Sequence, residues 1–95
     1  MTAQIEILIS DARQLADALK DAPKDSDEWF ARNNLLTFAA MIEERKDAIS
    51  LERASHALGY WLTDQYDLKS SLTKTVSAMA ERARNMAKGI SRKNG

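Results

Sequence analysis

The sequence predicts an all-α fold, a small bundle of three to four antiparallel helices, on three observations. Apolar side chains follow steps of three and four through the last 45 residues, the same rhythm opens the chain, and a proline with a set of capping residues divides what lies between. The carboxy-terminal ladder is the strongest of these signals. Leu51, Ala54, Leu58, Trp61, Gln65, Leu68 and Leu72 mark one seam, and Val76, Met79, Ala83, Met86 and Ile90 resume it after one extra residue. Such spacing sets side chains along one side of a helix, and that side has to be covered by another helix of the same chain or of a partner.

The first helix is expected over about residues 3–22, where Ile5, Leu8, Ala12, Leu15 and Leu19 recur on one face and Glu6, Arg13, Asp17 and Lys20 on the other. Pro23 ends it, because proline lacks the amide donor and biases Ala22 away from helical geometry. A second helix follows over about 26–46. Asp25 or Ser26 supplies its N-cap oxygen; with Asp25 as the cap, Glu28 stands at the capping-box spacing and Asp27 adds favourable charge. Trp29, Asn33, Leu36 and Ala40 form one strip of this helix, and Leu35, Phe38 and Ile42 an adjoining one. So wide an apolar surface implies more than one neighbour.

Asp47, Ala48 and Ile49 read as a short connector, with Ser50 capping the next helix. From there two architectures compete. If the chain breaks at Thr63 to Asp67, helices over about 51–66 and 68–90 complete a four-helix bundle, and residues 91–95 form a flexible basic tail. Without a break, residues 51–90 make one helix about 60 Å long, whose seam only a second copy could cover, so that it would mediate dimerisation. The extra residue between Leu72 and Val76 marks an irregularity under either reading. The broken version is the favoured one.

Ninety-five residues with 44% hydrophobic content suit one helical domain over 1–95, small enough that assembly often helps it. The absence of cysteine removes any disulfide framework or thiolate chemistry and fits a reducing compartment. The patch Ile5, Ile7, Leu8, Ile9 is too short for a signal sequence or a membrane span, so a cytoplasmic protein without membrane contact is expected. Net charge is zero, yet residues 1–73 hold 8 Lys/Arg against 13 Asp/Glu and residues 74–95 hold 6 against 1. The division means either internal pairing of acidic and basic helices or a field that steers an acidic partner, a phosphate backbone or a second copy.

Catalytic machinery is not expected. His56 is the only histidine, with Glu52 one helical turn away, and no cysteine or second histidine completes a metal site. The acids Glu43, Glu44 and Asp47 and the acids Asp25, Asp27 and Glu28 sit at helix ends, where solvation and capping account for them. Gly59, Gly89 and Gly95 are too scattered for a phosphate loop, and neither cofactor nor small-molecule ligand is implied.

What remains is binding. Trp29 and Phe30 are adjacent, as are Tyr60 and Trp61, and neighbours on a helix point about 100° apart, so one core cannot easily absorb both members of a pair. Large aromatics that fill a partner's pocket dominate interface energy, which makes these four the candidate protein-binding anchors. The expectation is a non-enzymatic adaptor, regulator or inhibitor that docks on another protein or on a second copy of itself. The alternative is association with nucleic acid through Lys74, Arg82, Arg84, Lys88, Arg92 and Lys93, a basic stripe without aromatics and therefore suited to duplex phosphates rather than single strands. A helix-turn-helix reading of Ser50 to Leu62 fails on charge, since it would present Asp64 and Asp67 to the phosphates.

Overall fold

The computed structural model describes the backbone of residues 2–63 and 70–94, and the side chains of these except at 2, 70 and 91–94. The described residues form four helices: α1 Thr2–Ala18, α2 Asp27–Arg45, α3 Ala48–Leu62 and α4 Ser70–Asn94. No strand occurs among the described residues, and the fold is an all-α bundle.

The helices pack in chain order, α1 on α2, α2 on α3 and α3 on α4, and α4 closes more loosely back on α1. Side-chain pairs give the directions. Arg13 of α1 pairs with Glu43 of α2, and Glu6, nearer the start of α1, pairs with Lys46 just beyond the end of α2, so these helices run antiparallel. Asp11 of α1 meets Arg82 of α4 at 2.9 Å, while Gln4 and Ile7 share a groove with Asn85 and Met86, which makes that pair antiparallel as well.

The ladder of the carboxy-terminal half therefore covers itself. The Ser55 hydroxyl donates to the Ala80 carbonyl at 2.6 Å across 25 residues of chain, a contact that one continuous helix would forbid. The longest dimension of the molecule is 44 Å, shorter than the roughly 60 Å of an unbroken 51–90 helix. The long-helix alternative is thus overturned, and with it the argument that a second copy must cover the seam. Residues 64–69, where the break was expected and where Gln65 and Leu68 of the ladder fall, lie outside the described residues.

One core cluster joins all four helices, with Ile5, Leu8 and Ala12 from α1, Leu35, Phe38 and Ile42 from α2, Leu51, Ala54 and Leu58 from α3, and Val76, Met79 and Ala83 from α4. Alanines fill many of these positions and let the helices approach closely, as the Ser55–Ala80 bond requires. Among the described residues no buried side-chain nitrogen or oxygen lacks a partner.

Several boundaries differ from the sequence expectation, each for a local reason. α1 stops at Ala18, and Leu19, Lys20 and Ala22 then donate to carbonyls three residues back, a tightened turn ahead of Pro23. Of the two cap candidates for α2, Ser26 serves: its Oγ accepts from the Trp29 amide at 3.2 Å, while Asp25 takes a left-handed φ of 68° and leaves the Glu28 capping box unformed. Asp47 rather than Ser50 caps α3. Its carboxylate accepts from the Ser50 amide at 2.8 Å and its own amide donates to Ser50 Oγ at 3.2 Å, a reciprocal box in which serine replaces the usual glutamate. Ala48 and Ile49, expected in the connector, are therefore helical. The left-handed Lys46, whose amide donates to the Ile42 carbonyl at 2.7 Å, completes a turn of only two residues. At the other end α4 runs to Asn94, through most of the stretch expected to be a flexible tail.

Candidate protein-binding end of the bundle

The four aromatic candidates stand on two helices joined by that short Lys46–Asp47 turn. Trp29 and Phe30 lie in the first turn of α2 and Tyr60 and Trp61 in the last turn of α3, and each pair is about 20 to 25 Å from the turn along its own helix. Antiparallel packing brings both pairs to the same end of the bundle.

Each pair divides its members between cover and solvent. Trp61 is partly buried against the core, whereas Tyr60 is 70% exposed. Phe30 is 40% exposed and meets the half-buried Trp29 edge-on, with ring centroids 5.0 Å apart and planes at 80°. The physical cause is the one visible in the spacing: a single inward direction per helix holds one neighbour and turns the other outward. The Ser26 cap fixes where α2 begins and hence how both of its rings point.

On α2 the strip of Leu35, Phe38 and Ile42 is buried together with Ala31 and Ala39, between α1 and α3. The adjoining strip is not. Leu36 and Ala40 are exposed and Trp29 and Asn33 half-buried, so α2 has the two neighbours that its width implied, α1 and α3, and still leaves this strip partly open among the described residues.

A groove between α3 and α4 had no counterpart in the sequence reading. It encloses about 480 Å³ and is lined by Glu52, His56, Gly59 and Tyr60 on one side and Ser77, Glu81 and Arg84 on the other. His56 is exposed, and its ring lies 6.5 Å from that of Tyr60 with the planes tilted by 30°. Only the antiparallel return of α4 creates this space, and no motif within α3 or α4 alone signals it.

The acids find structural uses. Glu43 and Glu6 tie α2 to α1 through Arg13 and Lys46, and Asp47 is held by Arg45 at 3.2 Å. The Ser50 amide lowers the Asp47 carboxyl below its ordinary range, against some desolvation and with help from the Ser50 hydroxyl and Arg45. Among the described residues no group of three or more His, Cys, Asp or Glu could hold a metal ion.

The basic stripe of α4 is split by its neighbours. Arg82 turns to α1 and donates to Asp11 at 2.9 Å, while Arg84 lines the α3–α4 groove, 3.8 Å from Glu81. Lys74 and Lys88 are exposed, with Glu81 about midway between them in sequence. The side chains of Arg92 and Lys93 lie outside the described residues.

No helix among the described residues is long and apolar enough to cross a membrane. No family model, curated protein or solved structure matches the chain.

Proposed function

We infer that this chain is a small non-enzymatic module that docks on another protein through the aromatic end of its bundle. The observation behind this reading is that two aromatic pairs, distant in sequence, share one end and each leaves a ring in solvent, Phe30 and Tyr60. Exposed rings backed by half-buried ones are the arrangement from which interface anchors are made, because the ring is already oriented and loses little freedom on binding. The uncovered Leu36 and Ala40 of α2 extend apolar surface away from that end. An adaptor, regulator or inhibitor in the cytoplasm would act in this way.

Contact with nucleic acid through α4 has less behind it. Of its cations with described side chains, Arg82 is committed to Asp11 and Arg84 stands beside Glu81, which leaves Lys74 and Lys88 to neutralise phosphates.

Affinity capture from the native host with four forms of the protein tests the reading. Wild type and Lys74→Ala/Lys88→Ala should retain the same specific protein, while Phe30→Ala and Tyr60→Ala should lose it with helicity intact. Retention by both aromatic variants would refute docking at this end.

A further inference from the structure

The outward face of α3 carries Ile49, Arg53, His56 and Tyr60, all exposed, at steps of four, three and four. That order reads the same from either end of the helix, and its terminal members are large apolar side chains left in solvent, Ile49 at 52% and Tyr60 at 70%. We propose that this face pairs with the same face of a second copy, the two α3 helices running antiparallel about a twofold axis between residues 54 and 55.

Three consequences of that overlay fit one another. Ile49 of each copy covers Tyr60 of the other, so both exposed apolar ends are buried twice over. Glu52 of each copy comes beside His56 of the other, and Glu52 and Arg53 cancel, so the face meets its own image without net charge. Arg53 is the discordant member, because symmetry sets it near Arg53 of the second copy and caps the affinity. A single helix face also falls short of the roughly 800 Å² per partner of a stable interface, so the association is weak and concentration-dependent. Tyr60 is shared with the docking end described above, but Ile49 is about 16 Å from it along α3 and belongs to this contact alone.

Sedimentation equilibrium of the full chain, from about 10 µM to about 1 mM, tests the pairing. The wild-type mass should rise from 10.6 kDa toward twice that value. Ile49→Glu should weaken association at least about tenfold, an anchor-sized loss. Arg53→Ala should strengthen it by up to about fivefold, the scale of an exposed charge pair. Ile7→Glu, on α1, and Phe30→Ala, at the docking end, should leave self-association unchanged, so failure of this proposal and failure of the docking reading are distinguishable. Because the chain has no cysteine, His56→Cys should oxidise readily to a covalent dimer and Ile7→Cys should not, a readout that survives if Ile49→Glu fails to fold. A constant 10.6 kDa mass, weakening by Arg53→Ala, or equal cross-linking at positions 56 and 7 would overturn the pairing.

Discussion

Replacing Ser55 probes the return of α4 onto α3, on which the placement of every surface residue depends. The residue is only 8% exposed, and its hydroxyl donates to the Ala80 carbonyl at 2.6 Å. Were residues 51–90 one helix, positions 55 and 80 would stand about 37 Å apart and could not sense each other. Ser55→Ala removes one buried hydrogen bond, a loss of about 0.5–1.5 kcal/mol, without orphaning a buried group, since the Ala80 carbonyl sits inside α4. The better helix propensity of alanine returns about half a kcal/mol, so the net cost is about 1 kcal/mol or less. Ser55→Leu instead forces three extra carbons between closely packed helices and should cost about 1–3 kcal/mol. That is a sizeable share of the roughly 5–15 kcal/mol expected for a domain of this size. Urea unfolding followed by circular dichroism measures both, and Ala80→Leu closes a double-mutant cycle with Ser55→Leu. Non-additivity above about 0.5 kcal/mol is expected for residues in contact. A neutral Ser55→Leu, or strict additivity with Ala80→Leu, would refute the packing of α3 on α4.

Other outcomes follow from single residues. The Asp47 carboxyl is lowered in the folded state, so its contribution is present above the ordinary carboxylate range and is lost as pH falls through the depressed folded value; melting temperature against pH should decline less steeply in acid for Asp47→Asn than for wild type. Ser26→Ala should cost about 1 kcal/mol in denaturant unfolding, since the Trp29 amide loses its cap. A Cβ at Gly59 meets nothing within 4 Å, so Gly59→Ala should stabilise by about 0.5–1 kcal/mol, visible as a rise of several degrees in Tm. Removal of the exposed Arg82–Asp11 pair by Arg82→Ala should cost no more than about 1 kcal/mol. Any duplex affinity, measured across a salt series, should keep its slope when Lys74 and Lys88 become alanine; a shallower slope would favour phosphate contact along α4.

The inward face of each helix was legible because burial in a bundle obeys the helical period. Ile5, Leu8 and Ala12, then Leu51, Ala54 and Leu58, then Val76, Met79 and Ala83 announce themselves by spacing and are all buried. What spacing could not give was tertiary return: nothing local in Ser55 or Ala80 says that they touch, and a continuous seam is compatible with both a hairpin and a rod. The α2 cap stayed open between adjoining candidates, of which Ser26 serves, and the α3 cap was misplaced where serine does the work usually given to glutamate, at Ser50. The aromatic pairs were visible as pairs, but their meeting at one end depends on the two-residue turn at Lys46 and Asp47, shorter than the connector expected. The α4 cations were visible as a stripe, but Asp11 and the α3–α4 groove divide it, and both come from distant chain.

The chain has two tryptophans, both at the aromatic end, so its two indole N–H resonances report directly on that surface. Titrating the isotope-labelled protein with the host protein that it captures should shift or broaden both indole signals and the amides around Phe30 and Tyr60, leaving the amides near Lys74 and Lys88 in place. Indole signals that stay fixed while the amides from Lys74 to Lys88 move would contradict docking at the aromatic end.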